Sequence, residues 1–120
     1  MTGTEGEQAA SYTNLANLYW AQEAFEEAKV MLIKAIDIYK DRESLKSEGR
    51  YAAAISSLAN IYFSEGEYEK CAVLCREAMK EIEKEFGQND AWHIISDNLA
   101  EAERKLDDSD SDMTSDSAGK

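Results

Sequence analysis

The chain has 120 residues, 43% of them hydrophobic and 32% charged, and 25 acidic side chains against 13 basic ones give a net charge of −12. That length suits one domain with its own core. The excess of acid repels phosphate backbones and anionic lipid surfaces, which argues against nucleic-acid and membrane binding and leaves a protein or peptide partner that is either basic or not recruited by charge at all.

Proline is absent and Ala, Leu, Glu and Lys are abundant, so helix is favoured almost throughout. No apolar run approaches the length of a membrane span, and the opening "MTGTEGEQAA" lacks the basic and apolar regions of a secretory signal. Residues 1–7 therefore read as a flexible N-terminus.

From Tyr12 onward a first amphipathic helix is predicted. Tyr12, Leu15, Ala16 and Tyr19 recur at three- and four-residue intervals and share one face. A second helix carries Phe25, Ala28, Leu32, Ala35, Ile36 and Tyr39 in the same manner. The phrase "TNLANLYWAQEAFEEAKVML" then returns as "SSLANIYFSEGEYEKCAVLC", with Leu58, Ala59, Asn60 and Tyr62 at an offset of 43 from Leu15, Ala16, Asn17 and Tyr19. The third helix accordingly buries Tyr51, Ile55, Leu58, Ala59 and Tyr62, and the fourth Tyr68, Cys71, Cys75, Ala78, Met79 and Ile82. Gly66 supplies the turn between them at low conformational cost, whereas the first unit has Glu23 there. Gly87 ends the fourth helix, and Asn89 or Asp90 can cap the fifth.

The fifth helix begins a third copy with Asn98, Leu99 and Ala100, at an offset of 41 from the second. Trp92, Ile95, Leu99, Ala102 and Leu106 form its apolar side, and Ser96, Asp97, Glu101, Arg104 and Lys105 give it the polar side of a terminal cap. Self-similarity at this spacing marks a stacked array, because one hairpin cannot bury its own apolar face. After Leu106 the composition changes to "DDSDSDMTSDSAGK", which is too poor in apolar residues to repay the entropy of ordering. The domain is therefore placed at residues 8–106, followed by a disordered acidic tail at 107–120. In that tail Ser109 lies three residues before Asp112, the spacing that acid-directed kinases prefer.

Little in the sequence suggests catalysis. His93 is the only histidine and stands at a helix start beside Trp92, more naturally a surface residue than a general base. Cys71 and Cys75 sit four apart in a helix, which suits a disulfide poorly and fits reduced thiols in the cytosol or nucleus. With His93 they form only a partial metal set, and their repeat positions ask for small packing residues. No enzyme activity, cofactor or metal site is expected.

These positions resemble the tetratricopeptide repeat (TPR) family. Its pattern falls on Tyr12, Leu15, Ala16, Tyr19, Ala28, Leu32 and Lys40, and again on Ile55, Leu58, Ala59, Tyr62, Cys71 and Cys75, with the terminal proline missing. The units exceed the family's usual ~34 residues; their length, "NLANLY" and "CREAMKEIEKEFGQND" most resemble the kinesin light chain type. The resemblance implies an all-α fold, an α-solenoid of two hairpins and a C-terminal capping helix, five helices in a right-handed superhelical stack. It also implies that the first helix of each pair lines a concave groove. In this chain those positions are Thr13, Asn17, Trp20 and Ala21, then Ser56, Asn60, Phe63 and Ser64, then Asp97, Glu101 and Arg104.

Asn17 and Asn60 stand one repeat apart, each with a donor and an acceptor that can hold the backbone of an extended peptide. Bonding from helix to helix across the repeat junction is the alternative use. Trp20 and Phe63 follow the packing tyrosines and turn about 100° from the core face. Burial is favoured for Phe63 and peptide contact for Trp20. The family's clamp for a C-terminal carboxylate is not reproduced, since Thr13, Ile94 and Asn98 occupy the places of its cations. Two functions follow as expectations: a non-catalytic adaptor that binds a peptide in its groove, or a structural subunit that associates with itself or with further repeats.

Overall fold

The computed structural model describes the backbone of residues 3–41 and 49–118 and the side chains of residues 7–41 and 49–108. Among the described residues there are five helices and no strand: α1 (Gly3–Ala21), α2 (Phe25–Lys40), α3 (Arg50–Ser64), α4 (Tyr68–Phe86) and α5 (Asp90–Ala118). They pack in series, α1 on α2, α2 on α3, α3 on α4 and α4 on α5. This is the all-α helical-repeat solenoid expected from the periodicity, two hairpins and a fifth helix. Helical backbone reaches into both terminal segments, because α1 starts at Gly3 and α5 runs to Ala118.

The core is a continuous ladder of small and aliphatic side chains. Ala28, Leu32, Ala35 and Tyr39 of α2 are buried at a spacing of four, three and four. Cys71, Cys75, Ala78 and Ile82 of α4 repeat that spacing, so each second helix presents one stripe to its hairpin partner. Tyr51, Ile55, Leu58, Ala59 and Ile61 of α3 are buried between the two stripes. The cysteines are free thiols whose sulfurs lie 3.9 Å apart, and they occupy the places of Ala28 and Leu32. Burial pushes the Cys71 thiol up, and it pushes Cys75 up to about 12 with the neighbouring Cys71 adding to the effect. Such thiols are packing groups rather than nucleophiles.

Both interhelical turns have the same hydrogen bonds. In the first, Glu23 N–H donates to Trp20 O (2.9 Å) and Ala24 N–H to Tyr19 O (2.8 Å). In the second, Gly66 N–H donates to Phe63 O (3.0 Å) and Glu67 N–H to Tyr62 O (2.8 Å). These pairs define the Schellman closure, which needs a left-handed residue. Gly66 has φ +80°, and Glu23 is held at φ +60° although it carries a side chain. At the start of α5, Asn89 rather than Asp90 is the cap: its Oδ1 accepts from Trp92 N–H at 2.9 Å.

One expectation about the core fails. Leu15, assigned to packing beside Ala16, is 41% exposed, whereas its repeat equivalent Leu58 is 5% exposed. Leu58 lies in a crevice with Ile33 of α2 and Leu74 of α4, so a helix from the preceding hairpin helps to cover it. No described helix occupies the corresponding place beside α1. A salt bridge also ties the hairpins together. Lys29 of α2 reaches Glu65 at the end of α3 (2.8 Å) and Glu26 (3.0 Å), and its ammonium lies 5.3 Å from the Tyr62 ring centre. The hydrogen bond to Glu65 is the main cause of its raised pKa.

Candidate functional site

The first helices α1, α3 and α5 stand side by side, and the crevices between them are open. Asn17 and Trp20 of α1 meet Ser57 and Asn60 of α3 in one crevice, with Ala16, Leu32 and Ile61 as its floor. Both asparagines are exposed, so their amides face a space a ligand can enter. Trp20 is 40% exposed and its ring is tilted against Phe25 at 5.2 Å between centres. That contact fixes one face of the indole and leaves the rest available.

Thr13 lies lower in the same inter-helix space, with Ala10, Asn14, Tyr39, Arg50 and Ala53. Its hydroxyl donates to Ala9 O at 2.9 Å, one turn back along α1. Ser56 is half-buried and faces the next crevice, between α3 and α5. Phe63 is not part of the Asn17–Asn60 crevice. It is half-buried and packs edge-on against Tyr68, with ring centres 5.1 Å apart. On α5, Asp97 is exposed, while Glu101 and Arg104 are bonded to each other. The Arg104 guanidinium holds the Glu101 carboxyl below the ordinary range, and Glu101 raises Arg104 in turn. Arg104 also reaches Asp108 at 3.4 Å. The side chain of Ser109 lies outside the described residues.

The sequence-predicted set thus divides. Asn17, Trp20 and Asn60 converge, Thr13 and Ser56 line adjoining crevices, and Phe63 belongs to the turn between α3 and α4. Two residues outside that set are prominent. Phe86 and Ile94 are 51% and 60% exposed, and both line the α3–α5 crevice. A sequence signal for Ile94 existed: at the 41-residue offset it replaces Ala53, a bulky side chain at a small position. Phe86 carries a signal of the same kind, since at the 43-residue offset it replaces Glu43, an apolar side chain at a charged position.

A search of curated proteins found no match to the chain. A family model for the tetratricopeptide repeat matches residues 8–41 and again residues 52–91. Those segments carry both hairpins and cover more than half of the sequence. The chain belongs to the tetratricopeptide repeat family.

Proposed function

We propose that this chain is a non-catalytic adaptor that holds a peptide segment of a partner protein along the groove of α1, α3 and α5. Repeats of this family generally mediate protein–protein interactions and are generally non-catalytic. The observation that carries the finer reading is the crevice in which Asn17, Asn60 and Trp20 come together. Two carboxamides one repeat apart offer donors and acceptors to a peptide backbone, and an indole beside them offers an apolar platform. Thr13, Ser56, Asp97, Glu101 and Arg104 complete the proposed surface as flanking contacts, while Phe63 packs on Tyr68 in the turn between α3 and α4. The net charge of −12 favours a basic ligand over an acidic one. The tail at 107–120 and modification at Ser109 belong to the same proposal as regulators of charge.

Affinity capture from lysate with wild type and an Asn17→Ala, Asn60→Ala double variant tests it. The expected result is loss of a specific set of partners at unchanged helicity. Persistence of the same partners refutes groove binding. A second reading, self-association through the outer side of α1, is favoured by the exposure of Leu15 and Leu18. Sedimentation velocity across a concentration series checks it, and a constant monomer refutes it.

A further inference from the structure

The crevice between α1 and α3 has a counterpart one repeat further on, between α3 and α5, and the two differ in chemistry. Ala10, Thr13, Tyr39, Arg50 and Ala53 of the first crevice correspond to Ala53, Ser56, Ile82, Ala91 and Ile94 of the second. The exchange of Arg50 for Ala91 and of Ala53 for Ile94 turns a polar crevice into an apolar slot. Its volume is about 420 Å³, with Ile82 and Ile95 as floor and Phe86 and Ile94 as walls. Small residues keep the space clear. Ala52 and Ala53 face it from α3, and Gly49 lies so close to Phe86 that a Cβ there would stand 3.3 Å from the ring. A side chain at Gly49 would therefore displace the wall.

The face of α5 that carries Ile94 is otherwise acidic. Asp90, Ile94, Asp97 and Glu101 follow one another at intervals of four, three and four residues, which puts them on one face of α5. Ile94 is thus an apolar residue in a line of carboxylates. Glu101 is bonded to Arg104, while Asp90 and Asp97 have no ion pair among the described residues. The slot shares Ala53 with the Thr13 crevice, and Ser56 of the slot precedes Asn60 of the asparagine crevice by one turn on α3.

We infer that the α3–α5 slot is an anchor site for one bulky aliphatic or aromatic side chain, flanked by lysine or arginine, in a peptide lying along the groove. This rests on the groove reading and adds to it which peptide is selected. Phe86 and Ile94 gain by being covered, and the carboxylates of α5 attract the flanking cations. The polar first crevice, one repeat back, then receives backbone and hydrogen-bonding groups of the same peptide.

Titration by NMR with capped nonapeptides tests it, each having one variable residue between two lysines in a glycine–serine background. With leucine as the variable residue, the amides of Ala52, Ala53 and Ile94 should shift. The serine version should bind at least ~10-fold more weakly, as loss of a buried leucine side chain requires. Replacing the lysines by glutamates should abolish binding. Ile94→Ser and Asp97→Lys, both at exposed positions, should each weaken the leucine peptide while leaving the helical spectrum unchanged. Equal affinity for the leucine and serine peptides, equal affinity for the lysine and glutamate versions, or no shift with any peptide overturns the slot. The Asn17→Ala, Asn60→Ala variant separates the two claims. If it weakens both peptides by one factor and the leucine preference persists, slot and asparagine clamp both stand. A preference that persists at undiminished affinity keeps the slot and removes the clamp. Weakening in that variant without any leucine preference does the reverse.

Discussion

The turn between α1 and α2 contains a side chain where the backbone calls for glycine, and replacing it should stabilise the protein. Glu23 sits at φ +60° and closes the same hydrogen bonds that Gly66 closes at φ +80°. For an L-residue, the left-handed region costs roughly 1–2 kcal/mol from the approach of Cβ to the following carbonyl. Glycine removes that cost but enlarges the unfolded ensemble, at about 0.4–1 kcal/mol. Glu23 is exposed and has no ion pair among the described residues, so Glu23→Gly removes no compensating contact. The net expectation is a gain of roughly 0.5–1 kcal/mol, or about 4 °C in Tm for a domain of this size. Urea unfolding followed by circular dichroism at 222 nm gives ΔG and the slope together. A higher midpoint at constant slope is expected. A lower midpoint would refute the equivalence of the two turns. The mirror substitution is the internal control. Gly66→Ala adds a Cβ into open space, so its loss of about 1 kcal/mol is a backbone effect alone.

Leu58→Ala should cost about 2–5 kcal/mol in the same assay, because Leu58 is enclosed by three helices, while Leu15→Ala should cost under about 1 kcal/mol. Equal losses would show that Leu15 is covered in solution. Asn89→Ala removes the side chain that accepts from Trp92 N–H and should cost about 1 kcal/mol, with the fraying confined to the first turn of α5 in hydrogen exchange. Protection of that turn equal to wild type would count against the cap. Cys75 titrates at about 12 when folded, above the ordinary thiol value of 9.0, so the folded state holds its proton longer than the unfolded state. Stability is therefore complete below pH 9 and falls as pH rises towards 12, at no more than about 1.4 kcal/mol per pH unit for that group. Cys75→Ala should flatten this slope, and an unchanged slope in alkaline denaturant titrations would contradict the assignment.

What the sequence made legible is what two repeats share. The offset of 43 aligned the turns, and the aligned turns have the same hydrogen bonds down to matching donors and acceptors. The buried stripe of α4 and its two cysteines also followed, since Ala28 and Leu32 fix what those positions require. Leu15 was misjudged because periodicity gives the face of a helix, whereas burial depends on how many neighbours that face meets. Phe63 and Trp20 occupy equivalent positions and nevertheless differ, one half-buried on Tyr68 and the other opening onto a crevice. Spacing alone treats them as equals, and the preference for burying Phe63 and leaving Trp20 for contact rested instead on the neighbours that Phe63 has on both sides. The Phe86–Ile94 slot was legible only as separate departures from the repeat: its walls come from the end of α4 and the start of α5, and only packing brings them to one opening.

The departures from the repeat are therefore the informative residues. Where the two units agree, as at Leu32 and Cys75 or Tyr39 and Ile82, the side chains are buried and answer to packing. Where they disagree without a packing reason, the choice is free to serve recognition. Arg50 against Ala91 and Ala53 against Ile94 are two such disagreements, and both border the groove. Glu23 against Gly66 is a third, but it lies at an exposed turn and affects stability alone. In the proposed binding mode, symmetric backbone with asymmetric crevices would let a short solenoid distinguish one register of a bound peptide from the next. A groove with identical crevices would accept a ligand in two registers, one repeat apart. The exchange of a cation for an alanine and of an alanine for an isoleucine would make those registers unequal, because the apolar residue of the proposed ligand would have one slot to fill.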